Sequence, residues 1–194
     1  MSVQKYPDKV VEIIKKGGIG ILPTDTMYGI VCSAFDKRAI EKLFERRKRN
    51  LQKKCIVLIG SIEDLKRFDI ELDEFTQKVL NTVWPGPMSV ELPVREEKFE
   101  YLSKGTSSLS FRLPNNESLR KFLSQTGPII APSANPEGEK PAETIEEARN
   151  YWDDLDFYVE GGKLSGTPST IISIEDRKVK IWRQGQGQIP TEFL

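Results

Sequence analysis

Short polar and cationic side chains follow apolar, strand-like segments of this 194-residue sequence. Thr24, Asp25 and Thr26 come directly after the segment 19–23, and six of the nine residues from 46 to 54 are Lys or Arg. Hydroxyl groups and cations suit an anionic, phosphate-bearing ligand, because they donate short, charge-assisted hydrogen bonds. These residue types predict a binding site at the end of the first strand.

The same pattern recurs at three other predicted strand ends. Arg112 ends one strand, Ser133–Asn135 follow another, and Ser169–Thr170 open a strand whose successor ends at Arg183. In open α/β sheets, ligands bind in crevices at strand ends, where backbone N–H groups and helix N-termini converge. A single strand-end Ser or Thr is typical of a turn or a cap, so the prediction rests on the combination.

The composition removes several kinds of chemistry. Histidine is absent, so the commonest general base and the commonest zinc ligand are missing. The 29 basic and 29 acidic residues balance, so nucleic acid would have to be held by a local patch. The sequence has no Walker-type phosphate loop or dinucleotide-binding glycine motif. Cys32 and Cys55 lie in apolar segments, which predicts buried thiols.

Helices and strands alternate at first, and strands dominate near the C-terminus. Helices are predicted after Pro7, at 36–48, after Ser61, and at 73–83, 118–125 and 144–152. Strands are predicted at 19–22, 30–33, 55–59, 89–94, 107–113, 129–131, 158–160, 169–174 and 179–183. The order predicts one α/β domain with a mixed, twisted sheet, a core at about 5–184 and a short polar tail at 185–194.

The sequence has no run of about 18 apolar residues, and the N-terminal residues lack the apolar segment of a signal peptide. We therefore expect a cytoplasmic protein with no membrane segment. The loop at 136–142, with Gly138 between charged residues, is expected to be an ordinary ordered loop.

Six motifs together carry a resemblance to a known family. They are P-T-D-T-M-Y-G at 23–29, R-K-R-N-L-Q-K at 47–53, W-P-G-P at 84–87, F-R-L-P at 111–114, G-P-I-I-A-P-S-A-N at 127–135 and P-S-T-I-I at 168–172. In this order they resemble the YrdC/TsaC family of threonylcarbamoyl-AMP synthases, from about residue 18 to residue 183. The resemblance implies a single YrdC-like domain at 1–194, a twisted open mixed sheet flanked by helices, with a concave basic groove.

The resemblance also implies an activity. Members of the family make threonylcarbamoyl-adenylate and pyrophosphate from L-threonine, bicarbonate and ATP with Mg²⁺, and the product feeds the t⁶A modification of tRNA at position 37. By the same resemblance, tRNA or double-stranded RNA and the threonylcarbamoyl-transfer proteins are expected partners. No metal-ligating residue of the protein is expected.

Residue roles follow from the positions that match the family motifs. Arg47, Arg49 and Lys53 are the expected catalytic and phosphate-binding cations. The expected L-threonine site consists of Thr24, Arg112, the Ala131 backbone and Ser169. The other expected ATP-binding residues are Ser108, Ser133, Asn135 and Arg183.

The chain departs from the family pattern at three places. Arg47 replaces the usual lysine, Lys54–Cys55 replace a Pro-Leu pair, and 139–141 replace small residues. Two other functions therefore stay open: an RNA-binding module that uses the basic run, and a nucleotide-binding relative without synthase activity. The lack of aromatic residues within the basic run argues against single-stranded RNA, and the run could also be a solvated helix end.

Overall fold

The computed structural model describes residues 6–48, 55–94, 97–103 and 105–194, so Arg49 and Lys53 lie outside the described residues. Nine strands form one mixed sheet within these ranges. They are β1 (Gly20–Pro23), β2 (Tyr28–Ser33), β3 (Ile56–Leu58), β4 (Met88–Pro93), β5 (Ser108–Arg112), β6 (Ile129–Ile130), β7 (Phe157–Tyr158), β8 (Thr170–Glu175) and β9 (Lys178–Arg183).

The strand order is β7-β1-β2-β6-β3-β5-β4-β8-β9. The pairs β1–β7, β3–β5 and β4–β8 are parallel, and the other neighbours are antiparallel. This confirms the predicted single α/β domain with an open mixed sheet flanked by helices.

Six α-helices join the strands in the described residues: α1 (Asp8–Lys15), α2 (Lys37–Arg46), α3 (Glu74–Val83), α4 (Glu100–Ser103), α5 (Glu117–Thr126) and α6 (Ile145–Tyr151). Four of them begin after a side chain that accepts a backbone N–H, which fixes the first turn. These caps are Asp36, Asp73, Asn116 and Thr144.

Several predicted elements differ from the observed ones. The helix predicted after Ser61 is a 3₁₀ helix (Ile62–Phe68), which ends where Asp69 adopts a left-handed backbone conformation. The strand predicted at 158–160 lies at Phe157–Tyr158, and the short 3₁₀ helix Glu97–Phe99 was not predicted. Helix α2 ends at Arg46 and not at Lys48, so only the first residue of the basic run is helical, and Arg47 and Lys48 lie beyond the helix.

Alternate residues of the central strands point to opposite faces of the sheet, and this separates core from site. Val90, Phe111 and Ile172 are fully buried in the larger hydrophobic cluster, together with residues of α2 and α3. Their neighbours Glu91 and Arg112 point to the other face. Helices α1 and α5 cover that face over β1, β2 and β3, and leave it open over β4, β5 and β8.

The C-terminal tail packs onto the domain through one aromatic side chain. Phe193 is 2% exposed and belongs to the larger hydrophobic cluster. Its ring meets the Phe75 ring edge-on at 6.0 Å, and Glu192 forms an exposed ion pair with Lys78 at 3.6 Å. Burial of a phenyl ring stabilises far more than such an ion pair, so Phe193 is the anchor of the tail.

We expect Phe193→Ala to lower the free energy of unfolding by about 3 kcal/mol, because it leaves a cavity in the core. Glu192→Gln is the matched control and should change stability by less than about 0.5 kcal/mol. Urea unfolding of both variants measures the difference. Equal stabilities would mean that the tail does not pack on the core in solution.

Candidate functional site

A cavity of about 690 Å³ opens over the uncovered part of the sheet. This volume lies within the range of small-molecule sites. Residues of the β1–β2 turn, the strand β5, the loop after β6 and the ends of β8 and β9 line it. Among them are Thr24, Thr26, Glu91, Ser110, Arg112, Ala131, Ser133, Lys140, Glu143, Ser169, Ile171 and Arg183.

The cavity crosses the face of the sheet between the predicted strand ends. Strands β6 and β5 run in opposite directions, because β3 is antiparallel to β6 and parallel to β5. The residues after β6 and the residue that ends β5 therefore lie at opposite ends of the strands. Their side chains extend toward each other over the sheet face between these ends.

The floor of the cavity follows from strand register. Ser110, Glu91, Ser173 and Lys180 are successive partners across β5, β4, β8 and β9. They form one polar row on the open face of the sheet, which we call the outer row. Ile171 pairs with Arg183 on β9. These two residues belong to a second row on the same face, the inner row, which lies toward the Arg112 end of β5.

Arg112 is the most deeply buried of the cations that line the cavity. Its side chain is 5% exposed and its Nη2 lies 3.1 Å from Oδ1 of Asp25, whose side chain is 7% exposed. The other carboxylate oxygen of Asp25 accepts a hydrogen bond from the Asn115 N–H. Burial lowers the pKa of Arg112, and the charge of Asp25 opposes that shift. Arg112 Nε is buried without a hydrogen-bond partner among the described residues, so it can donate to a ligand.

Arg183 adds a second guanidinium to the same cavity. Its Nη2 donates to the Ser169 carbonyl at 2.8 Å, and Ser169 Oγ lies 2.9 Å from Ser89 Oγ. Burial lowers the pKa of Arg183, and the positive charge of Arg112 lowers it further. Two like charges that interact across a partly desolvated cavity favour an anion between them.

Thr24 shapes the turn between β1 and β2. Its hydroxyl donates to the Met27 carbonyl at 2.7 Å and accepts from the N–H groups of Thr26 and Met27 at 3.2 Å. Arg112 Nη2 also approaches it at 3.4 Å. Because its proton is donated within the turn and its two lone pairs already accept backbone N–H groups, the Thr24 hydroxyl has no free hydrogen-bonding capacity for a ligand in this arrangement.

Arg47 supports the loop that follows β6. The residue is 2% exposed, and its Nε donates to the Asn135 carbonyl at 2.9 Å. Its Nη2 lies 3.4 Å from Ser133 Oγ, which faces the cavity. The N–H of Ala131 donates to Ile56, so its carbonyl is the backbone group that can serve a ligand.

The structure brings together most, not all, of the predicted site residues that it describes. Thr24, Arg112, Ala131, Ser133, Ser169 and Arg183 line the cavity. Asn135 lies behind the wall, where its Nδ2 donates to the Pro136 and Glu139 carbonyls. Ser108 shares the face of Ser110 and Arg112, but it begins β5, at the far end from Arg112, and does not line the cavity.

A strap of residues 160–168 passes over the cavity. Tyr28 anchors one end: its hydroxyl donates to the Gly162 carbonyl and accepts from the Gly161 N–H, both at 2.8 Å. Burial raises the pKa of Tyr28 to about 12, so the phenol keeps its proton at neutral pH. At the middle, the backbone of Gly166 packs so closely on Thr26 that a Cβ would lie 2.2 Å from the Thr26 carbonyl oxygen.

Three charged residues form the rim between the strap and the loop after β6. Glu143 pairs with Lys140 at 2.8 Å and with Lys163 at 3.3 Å. The hydrogen bond to Glu143 raises the pKa of Lys140, and the two lysines lower the pKa of Glu143. Both lysines are exposed and Glu143 is half-buried, so the network links the strap to the loop after β6 but adds little to the stability of the fold.

Within the described ranges, no group of three or more Cys, Asp or Glu side chains is placed to hold a metal ion. In the same part of the chain, no helix combines the length and the apolar character that a membrane span requires.

The sequence analysis named Asp25 at the end of the first strand without giving it a role, and it did not select Glu91, Ser110 or the strap as site components. A signal for Ser110 was present: S-L-S-F-R at 108–112 alternates polar and apolar residues, which predicts a strand with one polar face. Asp25 stood in a recognised motif, but its contact with Arg112 joins positions far apart in the chain. The strap offers only Gly, Ser and Pro residues, which are typical of any loop.

Comparisons with known proteins agree on one family. The family model Sua5_yciO_yrdC, described as telomere recombination, matches residues 12–185. The threonylcarbamoyl-AMP synthase of Pyrococcus abyssi is 29% identical over 175 residues, which cover 89% of this chain and 52% of the relative. That of Marinobacter nauticus is 29% identical over 167 residues, covering 84% and 88%. The chain thus spans about half of the first relative and most of the second.

Solved structures show the same fold. The P. abyssi Sua5 complexed with L-threonine matches with a TM-score of 0.84 at 27% identity, over 91% of this chain and 53% of that one. The E. coli YciO structure matches with a TM-score of 0.85 at 24% identity, over 98% and 96%. The second likeness concerns the fold alone.

The contact of Arg112 with Asp25 predicts strong coupling between the two residues. Asp25→Asn should lower the free energy of unfolding by about 3 kcal/mol, because it leaves a buried guanidinium without a counter-charge. Arg112→Met should be destabilising as well, since it leaves the carboxylate unpaired. The double variant should lose much less than the sum of both, as measured by urea unfolding in a double-mutant cycle. Additive losses would show that the pair does not interact in solution.

Proposed function

The chain belongs to the Sua5/YciO/YrdC family, and on that premise we propose that it is a threonylcarbamoyl-AMP synthase. In this proposal it transfers the adenylyl group of ATP to a carbamate formed from L-threonine and bicarbonate, and it releases pyrophosphate. It is then a nucleotidyltransferase of the cytoplasm whose product is passed to proteins that modify tRNA.

The observation that carries the proposal is the buried Arg112 at the floor of the cavity. A guanidinium that Asp25 holds in place, and whose Nε has no hydrogen-bond partner among the described residues, is suited to bind a carboxylate. The Ser169 side chain and the Ala131 carbonyl lie in the same cavity wall. In our proposal Arg112 binds the threonine carboxylate, and the Ala131 carbonyl accepts a hydrogen bond from the amine or the hydroxyl group.

The proposed reaction needs two bond-forming steps. The threonine amine adds to the carbon of bicarbonate, and water leaves to give the carbamate. A carbamate oxygen then attacks the α-phosphorus of ATP, and the bond from that phosphorus to the pyrophosphate oxygen breaks. Such a transfer depends mainly on in-line positioning and on neutralisation of the phosphate charge, so a chain without histidine can support it.

The chain supplies cations for the nucleotide, and we assign Arg183 and the Ser133 hydroxyl to the ATP side of the cavity. Mg²⁺ would enter on the ATP phosphates and neutralise part of their charge. This ion keeps several waters and needs few protein oxygens when it binds with nucleotide phosphates. The strap 160–168 would limit the access of water to the reacting groups.

Arg47, Arg49 and Lys53 divide into two roles in this proposal. Arg47 holds the loop after β6 through its bond to the Asn135 carbonyl, and so it positions the Ser133 hydroxyl. Arg49 and Lys53 are proposed to bind the triphosphate directly, by resemblance to the family motif.

The decisive experiment measures pyrophosphate release by the purified full chain with ATP, Mg²⁺, bicarbonate and L-threonine. We expect release that depends on threonine and bicarbonate, and a threonylcarbamoyl-adenylate product in the mass spectrum. Equal release with serine, or without an amino acid, would refute the proposed substrate.

Two arginine variants should separate phosphate binding from loop support. Arg49→Ala should weaken ATP binding by more than the ~1 kcal/mol typical of an exposed ion pair, because charge-assisted phosphate contacts are lost. Arg47→Met should lower the free energy of unfolding by about 2 kcal/mol, since a buried charged hydrogen bond disappears. Calorimetric ATP titration and urea unfolding of each variant test this division. An Arg49 variant with unchanged ATP affinity would assign the basic run to a solvated helix end.

A further inference from the structure

The exposed Trp182 lies just outside the cavity, on the same face of the sheet as the cavity floor. On β9, Arg183 pairs with Ile171, and Ile181 pairs with the next residue of β8, so Trp182 is an extra residue at a β-bulge. A bulge changes the direction of a side chain on a strand, and bulges are frequent beside active sites. Trp182 lies on the open face by ordinary alternation with Ile181, and the bulge brings the following residue, Arg183, onto the same face, where it pairs with Ile171.

The position of the indole is fixed by a hydrogen bond. Trp182 Nε1 donates to Ser173 Oγ at 2.9 Å, and Ser173 is the member of the outer row between Glu91 and Lys180. Glu91 itself lines the cavity. The indole therefore lies one strand farther along the outer row than Glu91. Trp182 also directly precedes the cavity-lining Arg183 in the sequence.

The indole is exposed in spite of this fixed geometry. Trp182 is 55% exposed, whereas Trp84 and Trp152 are 5% and 8% exposed. Lys180 Nζ lies 3.9 Å from the centre of its ring, so a cation already contacts part of the aromatic surface. A rigid aromatic ring with cations beside it is the arrangement on which nucleobases stack, because the ring supplies a flat surface and the cations attract the phosphates.

The alternative occupants fit this site less well. A second copy of the chain, paired antiparallel along β9, would bring the cations of one strand toward those of the other, which is repulsive. A peptide strand would use the backbone edge of β9 and would not need an indole fixed on the sheet face. A nucleotide can place its phosphates near Arg183 in the cavity and its base outside, over the outer row.

We propose that Trp182 stacks on the base of the nucleotide substrate and that Lys180 and Arg183 flank it with positive charge. The inference rests on the proposed function, since it assigns the nucleoside end of the ATP site. It gives Trp182 a binding role that the sequence motifs do not contain.

Tryptophan fluorescence and nucleotide affinity test the inference with the full chain. ATP should quench the emission of the exposed Trp182, and inorganic tripolyphosphate, which has no base, should not. Trp182→Ala should remove the quenching and raise the Kd for ATP about tenfold, a change typical of one lost base stack. Its Kd for tripolyphosphate should stay unchanged, and Trp182→Phe should keep most of the ATP affinity.

Ile181→Ala is the matched control, because Ile181 is an exposed apolar residue beside Trp182 that pairs with the core residue Ile172 and points to the opposite face. It should leave quenching and affinity as in the unaltered chain. If ATP binds but Trp182→Ala binds it equally well, the stacking role is refuted while the proposed function stands. If ATP does not bind the unaltered chain at all, both are refuted. Weaker binding of tripolyphosphate to Trp182→Ala would show a general structural defect, and would also overturn the stacking role.

Discussion

The site is organised around a buried guanidinium that needs a carboxylate beside it. Arg112 is almost fully removed from water, and Asp25 is the described carboxylate within ion-pair distance. Such a pair costs desolvation energy that its own attraction only partly offsets, so it is weak evidence for stability and better evidence for a role in binding. The constraint explains the β1–β2 turn: Thr24 orders it by local hydrogen bonds, and the following Asp25 then faces β5.

The sheet supplies the surface on which this pair can work. Helices α1 and α5 cover one half of a sheet face, and the other half is left to polar residues in register across four strands. The opposite face is packed with apolar side chains from the same strands. Successive side chains of these strands point alternately to the core and to the cavity. The cavity side chains are held firmly, because the packed core face fixes the backbone that carries them.

Loops complete the enclosure from two directions. The segment after β6 is held by Arg47, and the strap 160–168 is held by the Tyr28 phenol and by the close approach of Gly166 to Thr26. The segment after β6 bonds to strand β2, where the Ala134 N–H donates to the Tyr28 carbonyl, and the strap packs on Thr26 in the turn between β1 and β2. Tyr28, Arg47 and Gly166 therefore all help to shape the same cavity, although not all of them face the ligand.

The sequence by itself determined the fold class, the order of the elements and several of the residues that line the cavity. Hydrophobic periodicity and helix caps are local signals, and the motifs at 23–29, 127–135 and 168–172 are contiguous, so both can be interpreted without coordinates. The tertiary structure alone decided which polar groups meet. The contact of Asp25 with Arg112, the inward turn of Arg47, the position of Asn135 behind the wall and the alignment of Trp182 with Arg183 on one sheet face all depend on contacts between distant segments of the chain. Strand order and register are set by packing of the whole sheet, and a one-residue change of register would send a strand side chain such as that of Arg112 to the other face.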